Sequence, residues 1–179
     1  VERGAKVSGS RFFYLKGDGA LLELTARYDG VQASRMAELE IGQDELRAAL
    51  DAIAAARRAN GMRGPIHQVG HSTFVDPADT RRFKALNAAV EYSPYLWDPQ
   101  PINDDITAAV GSPRIDRVWP IREGFEAGAL VIAGSDWAVV PVPNPWIGIE
   151  TAVTRRNPGG GSRSYGLKEA ITLPRAITM

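Results

Sequence analysis

Apolar residues recur at the helical period between Gln43 and Asn60: Leu46, Leu50 and Ile53 stand at i, i+4 and i+7, one stripe along one face. The spacing predicts a helix over 43–60, with Asp44 as its N-cap and Gly61 as its C′ residue. Pro65 opens a short strand over 66–71. Asp76-Pro77-Ala78-Asp79 reads as a helix start, with a capping carboxylate, a proline at the first helical position and an acidic third residue. That helix is expected to reach about Asn87 with Phe83 and Leu86 inward, and a strand over 88–92 follows at once. Pro120 starts a second helix to Ala127, closed by Gly128. The almost wholly apolar run 129–133 then reads as a strand covered on both faces. Pro145 starts a helix to about Thr154, and 167–176 reads as a last helix interrupted by Pro174.

Other segments are less regular. Arg11–Leu15 is an aromatic and apolar strand ending in the turn residues Gly17-Asp18-Gly19, and 20–28 suits a short helix. Residues 31–41 suit either a helix or a strand. The span 93–120 carries Pro94, Pro99, Pro101 and Pro113 and reads as an excursion with one short helix over 106–110. Asn157–Ser164 is a solvated loop.

Helix followed by strand across a very short connection thus recurs twice, which is the parallel α/β pattern. A complete eightfold barrel takes about 250 residues, so this chain holds about five βα units of a partial (β/α)8 TIM barrel. The 179 residues are expected to form one incomplete domain: a weakly patterned N-terminal part over 1–42 and a C-terminal half-barrel over 43–179. The start at Val1 without Met and the stop just after a helix read as the ends of a fragment.

Composition narrows the function. Twenty-one basic and 21 acidic residues balance, which argues against nucleic acid or an anionic membrane surface as the main partner. The 44% hydrophobic content is enough for a packed core. The absence of cysteine excludes disulfides, zinc–thiolate sites, iron–sulfur clusters and a cysteine nucleophile. No apolar run approaches the roughly 18 residues that span a bilayer. The chain is expected in the cytoplasm.

The two histidines, His67 and His71, are four residues apart. On a strand that spacing puts both imidazoles on one face, here toward a barrel interior. A metal ligand and an ordinary structural histidine are both compatible with it. Asp136 follows the apolar strand, in Gly134-Ser135-Asp136-Trp137, where parallel α/β folds place their active sites. A carboxylate there can ligate a metal, act as general base, or simply close a turn. Gly70-His71-Ser72-Thr73-Phe74 fails as a nucleophile elbow, because Phe74 replaces the last glycine and no histidine follows. Gly159-Gly160-Gly161-Ser162 lacks the lysine of a phosphate-binding loop. Trp119, Trp137 and Trp146 are expected to pack, with Trp137 also placed to line a pocket beside Asp136.

Residues 45–156 resemble the family-3 branch of the amidohydrolase superfamily, the N-substituted formamide deformylase-like metal-dependent hydrolases. The resemblance is carried by Leu46–Gly61, by His67-Gln-Val-Gly-His71 with Val75–Asp79 and Arg82-Phe83, by Pro120-Ile-Arg122 and Gly128-Ala129, by Gly134-Ser-Asp-Trp137, and by Pro145, Gly148-Ile149 and Ala152–Arg156. It implies a metal-dependent (β/α)8 barrel with a small β-sandwich. It implies that His71 ligates metal at the end of the sixth barrel strand. It implies that Asp136 ligates metal at the end of the eighth strand and takes a proton from the attacking water. His67 corresponds to a histidine upstream of the ligand that supports it or the substrate, and Trp137, by its place next to Asp136, is the other candidate for that role. Several positions depart from the pattern. Gly70 stands where a Glu is expected before His71. Tyr14 and Leu39 stand where a bridging Lys and a fifth-strand His are expected, and no His-x-His pair precedes them.

The implied activity is hydrolysis of non-peptide C–N bonds in a small amide-type substrate, with a divalent metal, zinc by type, activating the water. The alternative is a non-catalytic half-barrel relic that binds a small molecule or a partner subunit. Exposed sheet edges would favour a homo-oligomer.

Overall fold

The apolar stripe of residues 43–60 folds as expected into helix α1 (Gln43–Asn60), with Leu46, Leu50 and Ile53 all buried. A computed structural model describes residues 12–15, 21–24, 43–97, 101–137 and 142–179. Helix α1 begins at Gln43, so Asp44 lies in its first turn rather than at its cap. It ends at Gly61, whose φ of +78° is the left-handed conformation that a C′ glycine adopts without penalty.

Three parallel strands follow in chain order: β3 (His67–Val69), β4 (Ala88–Tyr92) and β5 (Leu130–Ala133). They pair in the order β3-β4-β5, with Gln68, Ala89 and Leu130 in one cross-strand row. Helix α2 (Pro77–Ala85) connects β3 to β4. Asp76 caps it, accepting a 2.8 Å hydrogen bond from Ala78 N, and Pro77 occupies the first turn. Its Phe83 is fully buried; Leu86, just past its end, is half-buried. The connection from β4 to β5 carries α3 (Pro101–Val110) and α4 (Ile121–Glu126), with short 3₁₀ turns over Pro94–Trp97 and Arg114–Arg117. Helix α5 (Pro145–Thr154) follows β5, and α6 (Leu173–Ile177) ends the chain.

Several expectations are corrected. Residues 21–24 form a strand, not a helix: β2 (Leu21–Leu24) pairs antiparallel with β1 (Phe12–Leu15), Phe12 opposite Leu24. Leu and Glu favour a helix locally, but cross-strand pairing overrides weak propensity. Residues 31–41 lie outside the described residues. Helix α3 starts five residues before the expected Ile106, at Pro101, where proline suits a first turn. Pro174 likewise sits in the first turn of α6 and does not interrupt it; 167–169 is a separate 3₁₀ turn. Among the described residues the parallel sheet has three strands where about five βα units were expected. Strand β5 is not covered on both faces. Val131 is buried on the helix side, but Leu130 on the other face is 47% exposed.

The core lies between the sheet and α1, α2 and α4, and includes Leu50, Phe83, Val90, Tyr92, Ile121 and Val131. Two buried arginines tie the loops around it. Arg57, in the last turn of α1, donates to the carbonyls of Met62, Pro65, Leu86 and Asn87. Arg155 donates to those of Val118, Trp119, Tyr165 and Gly166, at 2.6–3.3 Å. Burial holds its guanidinium below the usual arginine range. Arg155 belongs to the Thr154-Arg155-Arg156 element that carried the resemblance, so in this fold that element ties loops together. Arg155→Ala should lower stability by at least about 3 kcal/mol in urea denaturation, because buried carbonyls would lose their donors.

Candidate active site

The C-terminal ends of β3, β4 and β5 converge on four side chains. Strand β3 stops at Val69, and Gly70-His71 turns away from it with His71 at φ +50°. Strand β5 stops at Ala133, and Asp136 also lies in the left-handed region, at φ +52°. Such backbone is uncommon outside glycine and is retained at functional sites more often than elsewhere. The two turns bring His71 Nε2 to 3.2 Å from Asp136 Oδ1, each side chain about one-fifth exposed.

Beneath this pair lies Glu91, the fourth of five residues in the buried strand β4 and only 6% exposed. Its Oε2 accepts from the backbone N–H of His71 at 2.8 Å. Its Oε1 accepts from the Ser93 hydroxyl at 2.9 Å. Ser93, fully buried, places Oγ 3.3 Å from His71 Nδ1. Two glycines make room for this carboxylate. A Cβ on Gly134 would sit 2.1 Å from Glu91 Oε1, and one on Gly70 would sit 3.1 Å from Oε2. The resemblance expects a Glu at position 70; here a carboxylate reaches that place from the neighbouring strand.

Chemically, His71 and Asp136 form either an ion pair, when the imidazole is protonated, or two donors to one cation. Two ligands held at about 2.0–2.2 Å by a tetrahedral ion stand a little over 3 Å apart. The observed 3.2 Å fits one edge of such a site. Among the described residues no group of three His, Cys, Asp or Glu side chains completes it. The pair therefore fits as part of a divalent-metal site and not as a whole one.

His67 stands elsewhere. It pairs in register with Ala88, a core residue, and the strand ends before His71, so the alternation that would put both imidazoles on one face does not extend to His71. Trp137, beside Asp136, is 65% exposed, and Trp146 is 68% exposed; of the three tryptophans expected to pack, only Trp119 is buried. Glu91 and Ser93 were missed by the sequence reading. The signal was present, since a single acidic residue in the run Ala88-Ala-Val-Glu-Tyr92 puts a charge inside a parallel strand.

Comparison with known proteins adds the following. The model of the amidohydrolase family matches residues 25–179. Among solved structures, an uncharacterized metal-dependent hydrolase from Pyrococcus furiosus is similar with a TM-score of 0.55 at 20% identity, over 76% of this chain and 25% of that one. Short stretches are similar to curated proteins of other kinds. One is 52% identical over 44 residues to a histidinol dehydrogenase of Cupriavidus pinatubonensis, a quarter of this chain and 10% of that protein. Another is 88% identical over 24 residues to serine–tRNA ligase 1 of Streptomyces avermitilis, 13% of this chain and 6% of that protein. The chain thus spans a tenth or less of those curated relatives and a quarter of the solved hydrolase.

The packing around Glu91 yields a direct test. Gly134→Ala should displace the Glu91 carboxylate and lower stability by about 1–3 kcal/mol, the range for overpacking a filled interior, as read from the urea midpoint.

Proposed function

Because the chain belongs to the amidohydrolase family, we propose that it is a hydrolase of non-peptide C–N bonds in small amide-type substrates. The observation that carries this reading is the approach of His71 Nε2 and Asp136 Oδ1 to 3.2 Å at the C-terminal ends of parallel strands. In this reading β3, β4 and β5 are consecutive strands of a (β/α)8 barrel within one incomplete domain. His71 and Asp136 would hold a divalent ion, zinc by ligand type, with further ligands outside the described residues. When bound, the ion supplies a lowered water pKa and a polarised substrate carbonyl. Asp136 accepts the proton of the attacking water at its carboxylate, His71 orients that carboxylate, and exposed Trp137 offers an apolar surface to the substrate. His67, in β3, would act only at a distance from the ligand histidine.

A second reading is a non-catalytic half-barrel that binds a small molecule or another subunit. It is favoured by Leu130, 47% exposed on the sheet face opposite the helices. Among the described residues no helix is long and apolar enough to cross a membrane.

Two measurements separate the readings. With zinc or manganese supplied and a panel of N-formyl and N-acyl amines, Asp136→Asn should keep the fold and lower turnover by about 10²–10⁴, the usual effect of losing a general base. Turnover unaffected by Asp136→Asn would assign that residue to the turn alone. On size-exclusion chromatography the chain should elute as a concentration-dependent oligomer, its open sheet face covered by another copy, and Leu130→Lys should shift it toward monomer.

A further inference from the structure

We infer that Glu91 is a positioning residue for the ligand pair: by accepting the backbone N–H of His71 it holds that residue in its left-handed turn, and so sets where the imidazole stands relative to Asp136. Where it concerns the metal, the inference rests on the hydrolase reading. A non-glycine residue at φ +50° needs compensating contacts, because its Cβ crowds its own backbone there. Strand β4 supplies two of them. The Glu91 carbonyl accepts from Ser72 N at 3.1 Å, and the Glu91 side chain reaches back to accept from His71 N at 2.8 Å. The shorter of the two is made at the strained residue itself. The bond from Thr73 N to the His71 carbonyl, at 2.7 Å, is local and moves with the turn, so it cannot fix the turn against the sheet. The segment that carries Asp136 is tied to the same strand, with Gly134 N donating to Tyr92 O at 2.8 Å. Both turns therefore take their place from β4. The carboxylate that holds the first is itself held. Ser93 donates to its Oε1 at 2.9 Å, and a Cβ on Gly70 or Gly134 would press on it. Without the Glu91 bond, His71 is free to relax to ordinary backbone, and its Nε2 leaves the 3.2 Å approach to Asp136 Oδ1. Two ligands of one ion must keep such a spacing, so losing it weakens the hold on a cation.

The turn is read first, by NMR on the full chain without metal or substrate. In the unsubstituted chain His71 should show the strong intraresidue HN–Hα cross-peak of a positive φ, with an amide slow to exchange. Glu91→Met fills the same space without an oxygen to accept the N–H, and should weaken the cross-peak and speed the exchange. Glu91→Gln can still accept that N–H through its amide oxygen while its NH₂ donates to Ser93 Oγ, and should keep both signals. Cobalt(II) is then titrated by its visible absorption. It should bind Glu91→Met about 10–100-fold more weakly than the unsubstituted chain, the usual effect of losing a partner behind a metal ligand, and Glu91→Gln should restore most of that loss. A Glu91 that served only strand β4 would lower the urea midpoint in Glu91→Met and leave the turn and the cobalt affinity unchanged, and that result overturns the inference. So does a negative φ at His71 in the unsubstituted chain, which requires no variant to fold. So does a Glu91→Gln that keeps the turn yet binds cobalt as weakly as Glu91→Met, since the charge and not the turn would then act. Failure of the hydrolase reading would look different: the unsubstituted chain would bind no cobalt, while the turn would still be lost in Glu91→Met.

Discussion

Strand β4 is the constraint on which the rest depends. All five of its residues are buried, and a parallel strand buried on both faces can stand only between two partners and under helices. Val90 and Tyr92 face α1, α2 and α4 and form the centre of the core. On the opposite face lie Ala89 and Glu91, both buried. A charge placed there must be hydrogen-bonded or the strand is lost. The His71 N–H and the Ser93 hydroxyl meet that demand. The packing problem of one strand and the construction of the candidate site are therefore the same problem.

The loops that close the structure are held by charge rather than by apolar contact. Arg57 and Arg155 each donate to four backbone carbonyls in the segments between strands and helices. Asp79 is held in the same way: it is almost fully buried, and Arg47 from α1 and Arg82 from α2 reach it at 3.0 and 2.9 Å. The guanidinium group suits this task because its fork of donors can meet several acceptors at once without losing its charge.

Left-handed backbone at His71 and Asp136 explains why the candidate site lies where it does. A strand carried straight on through residue 71 would keep alternating its side chains between the two sheet faces. Instead the chain turns at Gly70-His71 and again at Gly134–Asp136. Both side chains then point across the strand ends toward each other. The family match over residues 25–179 gives the chain its family, and the likeness to a solved metal-dependent hydrolase is one of fold.

Local signals alone determined much of this protein. The stripe Leu46-Leu50-Ile53, the Asp76-Pro77 cap, the stop at Gly128 and the alternation of helix with strand all depend on contacts within a few residues, and each is found in the structure. His71 and Asp136 could be singled out for the same reason, as polar residues just past apolar strands. The tertiary structure decided what depends on distant partners. Residues 21–24 became a strand because residues 12–15 pair with them. Where β3 ends decided that His71 falls outside the alternation that includes His67, and what covers the sheet decided the exposure of Leu130. A charge inside the run 88–92 was legible, but the role of Glu91 was not, because it exists only when strand pairing sets it between Gly70 and Gly134, 21 and 43 positions away in the chain. Short-range periodicity encodes which element forms; the cost of burying a charge is settled only once its neighbours have arrived.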